Sequence, residues 1–179
     1  MHRLNFKALM LVGAMLLTPL VSPLVMAKGV YQSGPDFIAR TFAPEPPKPA
    51  VLWLTAEIRQ QAQNILDRPV AGLRVRYHMA GSKTAWILEE IGKEMPITIG
   101  IVIHQDKIEQ IKILAYRESR GGEVRYPAYT AQYRGASLTQ DMKLNQNIDG
   151  ITGATLSMWA VNKVAALALY YHSQTKKTD

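Results

Sequence analysis

Pro96-Ile97-Thr98-Ile99-Gly100-Ile101-Val102-Ile103-His104 sets isoleucine at every second position. Successive side chains of a strand point to opposite faces, so Ile97, Ile99, Ile101 and Ile103 share one face, with Thr98, Gly100 and Val102 on the other. The period of two persists outward. Upstream, Leu73, Val75, Tyr77 and Met79 alternate with Arg74, Arg76 and His78, and Ala80-Gly81-Ser82 turns the chain into a strand from Thr84 to Ile91 with Trp86 and Leu88 on one face. Downstream, Gln105-Asp106-Lys107 reverses direction, and Ile108 to Tyr116 returns with Ile111 and Ile113 opposite Gln110 and Lys112. Short turns impose antiparallel pairing. The reading is an antiparallel meander of about four strands with one face buried.

Helical patterns flank the meander. Thr55 is placed to cap Ala56 to Leu66, where Ile58, Ala62, Ile65 and Leu66 share a face, and Asp67-Arg68-Pro69 ends the run. Met158 to Tyr171 reads as a helix that is apolar around most of its circumference, Leu156 and Trp159 included, and is expected to pack on the sheet. Leu138 to Leu144 is read as a short helix, and Arg117 to Gly135 as a long loop. The predicted fold is α+β: an antiparallel sheet of about four strands packed against an N-terminal and a C-terminal helix.

The 179 residues suit one domain. Met1 to Ala27 reads as a signal peptide, with Arg3 and Lys7 before an apolar run and Val25-Met26-Ala27 as the cleavage site. The expectation is an exported, periplasmic protein, tethered to the inner membrane if that segment is retained. Residues 28–50 read as a Pro-rich, extended linker, carrying Pro44, Pro46, Pro47 and Pro49, and residues 51–179 as the functional domain. With no cysteine, the chain has no disulfide framework, thiolate metal site or CxxCH haem attachment. The net charge is +7, but the basic residues are scattered and form no stripe.

Asp149-Gly150-Ile151-Thr152-Gly153-Ala154-Thr155-Leu156-Ser157 runs directly into the last helix. Its glycines let the backbone bend and approach a ligand closely. The first turn of a helix has amides without internal partners and the positive end of the peptide dipole, which favours phosphate. Thr155 stands there with its hydroxyl, so a phosphate-bearing ligand held at Thr155 is expected. Two other readings fit the same string. Thr152 or Thr155 can serve as an ordinary helix cap. Gly150-Ile151-Thr152-Gly153 is formally a GXXG loop, which KH domains use to clamp a nucleic-acid backbone. The expected export and the missing basic stripe weigh against the latter, and no nucleic-acid partner is expected. His78, His104 and His172 are isolated in sequence, so no metal site is assigned. There is no nicotinamide fingerprint and no acid–base set, so no catalytic residue is assigned either.

Asp149-x-x-Thr152-Gly153-Ala154-Thr155 resembles the Asp-x-x-[Ser/Thr]-Gly-Ala-Thr motif of the FMN-binding domain family, which includes the C subunit of the sodium-pumping NADH:quinone reductase and the G subunit of the Rnf complex. Tyr116 to Val124 is similar to that family's Glu-containing, Gly-rich loop, with Ser119-Arg120 in place of its Thr-Pro. Gln132-Tyr133-x-Gly135 is similar to its Gln-Phe-x-Gly element. The resemblance extends from about Met95 onward. It implies FMN joined covalently through a phosphoester to Thr155. It also implies a flavin transferase, dependent on FAD and Mg²⁺, that recognises Asp149, Thr152, Gly153 and Ala154. Further contacts to the cofactor are expected from Gly150, Ser157, Glu118, Gly121, Gly122, Tyr129 and Tyr133. Glu118 would accept from ribityl hydroxyls or ring N–H, the glycines would allow close approach, and Tyr129, Tyr133 and Tyr126 are candidates for stacking or core packing. Arg117 and Arg120 are candidate cations beside the ring, or surface charges. The implied role is an electron carrier or redox subunit rather than a stand-alone enzyme, working between a membrane reductase and an exported acceptor, with a membrane or periplasmic redox protein as partner.

Overall fold

The isoleucine strand lies inside a five-stranded antiparallel sheet. The computed structural model describes residues 29–176; the expected signal segment, residues 1–27, lies outside them. The elements run α1 (Gly34–Thr41), β1 (Pro49–Trp53), α2 (Ala56–Leu66), β2 (Arg74–Ala80), β3 (Lys83–Ile91), β4 (Pro96–His104), β5 (Lys107–Ala115), α3 (Pro127–Thr130) and α4 (Thr155–Thr175). The sheet order is β1-β2-β3-β4-β5. Ile101 of β4 pairs with Trp86 on one side and Ile111 on the other. Ile97, Ile99, Ile101 and Ile103 are fully buried in the main core, which α4 closes from its side of the sheet. Full burial of such a side chain contributes roughly 1.5–3 kcal/mol.

Three sequence expectations are corrected. The sheet has five strands rather than about four, because Pro49–Trp53 pairs with β2 from Pro49↔His78 to Trp53↔Arg74. The expected linker, residues 28–50, instead holds α1 and the start of β1. Ser33 Oγ caps α1 by accepting from the Asp36 amide at 3.1 Å, and Phe37, Ile38 and Phe42 pack on Ala85, Val102 and Leu114. The sheet is therefore covered on both faces, not one. Phe37 comes so close to Gly100 that an added Cβ would lie 2.7 Å from its ring. Third, Leu138 to Leu144 is no helix. Leu138 and Leu144 form a β-bridge, and Thr139 bonds Lys143 through both its backbone and its hydroxyl.

α2 is capped by Thr55, whose Oγ1 accepts from the Ile58 amide, and stops at Asp67 in the left-handed conformation. It lies against α4, and just beyond it Arg68 makes a two-pronged ion pair with buried Glu90 on β3. The C-terminal end of α4 is closed off by polar contacts. The Trp86 indole donates to Thr84 Oγ1 at 2.9 Å, and Thr84 meets His172 Nδ1 at 2.8 Å. An indole can only donate, so Thr84 Oγ1 accepts from Trp86 while sharing a second hydrogen bond with the imidazole. The other ring nitrogen, Nε2, lies 3.3 Å from Asp106 Oδ1, outside hydrogen-bond geometry. Asp106, in the turn between β4 and β5, also binds Lys176 Nζ at 2.6 Å. Among the described residues no helix is long and apolar enough to cross a membrane.

Candidate functional site

The opposite end of α4 is open. Its N-cap is Ala154, which has no side-chain oxygen, and among the described residues the helix start has no side-chain cap bond. The first helical bond runs from the Met158 amide to the Ala154 carbonyl at 2.9 Å. The amides of Thr155, Leu156 and Ser157 thus precede the ladder, at the positive end of the dipole. The reading of Thr152 or Thr155 as an ordinary cap gives way. Thr155 is the first helical residue and is exposed, as is Thr152 in the preceding turn. Gly153 sits between them at φ +83°, a conformation that disfavours any side chain.

This helix start opens on a hollow of about 590 Å³. One wall is the segment from Gly153 to Ser157; the other consists of Lys93, Glu94 and the stretch from Glu118 to Arg120. The size falls within the range of small-molecule sites, about 300–1,000 Å³. Lys93 and Arg120 bring positive charge to the opening, and Glu94 and Glu118 offset it.

Loop 116–121 is clamped to the helix. Ser157 Oγ lies 2.8 Å from the Tyr116 hydroxyl, which donates in turn to the Arg120 carbonyl. Burial raises the Tyr116 pKa, so the phenol keeps its proton. Gly121 adopts φ +81°, and an added Cβ there would lie 2.8 Å from the Tyr116 oxygen and 3.3 Å from Ala154 Cα. Ser157 and Gly121 therefore seat the loop on the helix start. Gly121 and Gly122 line a smaller neighbouring hollow with Tyr116.

Glu118 has a different task from the one expected. Its Oε1 accepts from the amides of Lys93, Glu94 and Met95 at 2.6, 2.7 and 2.9 Å. Burial pushes its pKa up, but the three amides outweigh that and the net shift is downward. The carboxylate holds the turn between β3 and β4, and with it the far wall of the hollow. Arg117 turns toward the Pro96 carbonyl and Thr98, whereas Arg120 remains at the hollow.

The aromatic wall expected from Tyr129 and Tyr133 is absent from the hollow. Both are buried in the core, joined hydroxyl to hydroxyl at 2.8 Å, and Tyr133 donates to Asn162. Burial raises both phenol pKa values. Tyr126 is exposed but lies on neighbouring hollows. Asp149 is exposed, and its carboxylate has no partner among the described residues. Its backbone is pinned, since its amide donates to Gln132 Oε1 at 2.7 Å, which gives the Gln132-Tyr133 element a structural task. Gly150 is exposed, and the next amide, of Ile151, contacts Met158 Sδ at 2.9 Å.

Two exposures at the start of α4 escape the sequence reading. Leu156 is 43% and Trp159 57% exposed, although both were expected to pack on the sheet. They share a strip of α4 with Thr155, at spacings of three and four from Trp159. The spacing was visible in the sequence, but a helix that is apolar all round does not reveal which stripe faces solvent.

An uncapped helix start, a glycine turn and an exposed hydroxyl facing a hollow, with no acid–base pair converging on it, suit a domain that holds a phosphate-bearing group. Residues 92–170 match the family model described as FMN-binding domain. The match begins at the turn held by Glu118 and ends within α4, so it includes every residue lining the hollow. It supports FMN as the cofactor and a flavin-binding role. A comparison with curated proteins returned no match.

Proposed function

We propose that this protein carries FMN esterified through its phosphate to Thr155 and acts in electron transfer outside the cytoplasm. The observation that carries the reading is the start of α4: an exposed threonine in the first helical position, no side-chain cap, and a hollow of about 590 Å³ in front of it. In maturation the Thr155 oxygen bonds to the FMN phosphorus of FAD. The bond from that phosphorus to AMP breaks, AMP leaves, and the hydroxyl proton is lost. A Mg²⁺-dependent flavin transferase performs the step, with exposed Asp149, Thr152 and Gly153 as its recognition surface and buried Ala154 shaping the turn beneath them. The phosphodiester keeps one negative charge, which the first-turn amides and the helix dipole stabilise.

Bound there, FMN supplies one- or two-electron transfer. The chain anchors the group at Thr155 and holds the two walls of the hollow together through Ser157, Tyr116 and Glu118. A covalent bond also suits an exported protein, which has no cytoplasmic FMN pool to rebind from. Export rests on the pattern of residues 1–27, and the partner is a membrane or periplasmic redox protein. Production with and without the transferase tests the proposal. The expected result is a yellow protein with the mass increment of esterified FMN only when the transferase is present. Colourless, unmodified protein in both cases contradicts it.

A further inference from the structure

We infer that Trp159, with Leu156 beside it, is the surface on which the isoalloxazine ring lies, so that α4 both anchors the phosphate and supports the ring. The inference rests on the attachment at Thr155. It answers a gap in the site: the hollow is lined chiefly by polar and charged groups, and the tyrosines that would have supplied a ring wall are buried elsewhere with their hydroxyls paired.

α4 buries most of its residues, so a large aromatic left in solvent on it requires an occupant or a reason. Trp159 is four residues after Thr155. Side chains at that spacing are neighbours on a helix surface, with Cβ atoms about 5–6 Å apart. Helical side chains lean toward the N-terminus and cover the turn before their own Cα. Trp159 thus extends over the turn that Thr155 begins, within reach of a ring tethered there. Leu156, three residues before Trp159, lines the hollow itself and continues the apolar strip into it. An indole presents a broad face to a planar ring, and offset stacking adds about 0.5–1.5 kcal/mol beyond area burial. Trp159 is a positioning residue in this account: it takes no part in forming the phosphoester.

An indole in contact with isoalloxazine quenches flavin fluorescence, which gives a readout independent of electron-transfer activity. The experiment uses full-length protein matured with the transferase, in wild type and in Trp159→Ala, Trp159→Phe and Trp53→Phe. Trp53 is a control, being 61% exposed on β1 and turned to the sheet face away from α4. Intact mass reports attachment. Flavin emission, normalised to the flavin absorbance, reports the ring's neighbour. The expected result is the full mass increment in all four proteins, a severalfold rise in emission for Trp159→Ala, a smaller rise for Trp159→Phe, and none for Trp53→Phe. A normal increment with emission unchanged in Trp159→Ala overturns the role of Trp159 and leaves the attachment standing. No increment in the wild type overturns both. Because Trp159 is exposed, its replacement leaves the core intact, and the Phe variant guards against a loss of local order.

Discussion

The two ends of α4 are finished in opposite ways. At the C-terminal end His172 is buried and Thr84, Trp86, Asp106 and Lys176 gather around it, linking the helix to β3 and to the turn between β4 and β5. At the N-terminal end the cap is an alanine, the first threonine is exposed, and two large apolar side chains stand in solvent. One helix thus has an end completed by its own protein and an end left for something else. The closed end makes the open end useful, because a helix fixed at one terminus presents the other at a set position against loop 116–121.

If the ends are separable in this way, substitutions at each should change different observables. The largest effect is expected from Asp149→Ala at the open end. Flavin attachment should be abolished in intact-mass measurements, while the urea unfolding midpoint stays at wild type, since exposed positions usually change stability by less than about 0.5 kcal/mol. Normal flavin loading in this variant would remove Asp149 from the transferase's recognition surface. At the closed end, Thr84→Val should do the reverse. It strands the Trp86 indole and His172 Nδ1 in the core, at about 1–3 kcal/mol for each buried group left unpaired. Urea unfolding should register that loss with flavin loading unchanged; a variant as stable as the wild type would show that the network does not hold the helix.

The smallest effect is a pH dependence. Burial lowers the His172 pKa in the folded protein, with the Asp106 carboxylate pulling the other way and the net shift downward from 6.5. The unfolded chain therefore takes up the proton first. The stabilisation is complete above about pH 6.5 and is lost as pH falls from there through the folded-state pKa. Between about pH 7 and pH 5 the wild type should lose more stability than His172→Gln, by the linkage of proton uptake to unfolding. Parallel curves would show that His172 does not titrate differently in the two states.

How much of this was legible depended on whether local pattern carried the information. β2 to β5 could be read because alternation of large apolar and polar residues has one structural meaning when turn residues interrupt it. β1 was hidden by the prolines around it and by being an edge strand. The helix start before Phe37 was present in the sequence: Ser33 as cap, Pro35 in the first turn and Asp36 to donate its amide. Its placement near four prolines disguised it as linker. At the site, the loop-to-helix junction was legible because glycine and small hydroxylic residues have few other uses at such a point. The placement of the aromatic side chains was not. The buried hydroxyls of Tyr129 and Tyr133 are paired in a chain that ends on Asn162 of α4, 33 and 29 residues away in sequence, and exposure of Trp159 depends on which stripe of an all-round apolar helix meets the sheet. Neither is written in neighbouring residues.

The most direct test is the intact mass of transferase-matured Thr155→Val beside the wild type, with circular dichroism to show that both are folded. Valine keeps the shape of threonine and replaces only the hydroxyl with a methyl group. The account predicts one FMN ester on the wild type and none on the variant, at equal fold. A folded valine variant that still carries the full mass increment would place the flavin on another residue and contradict the account.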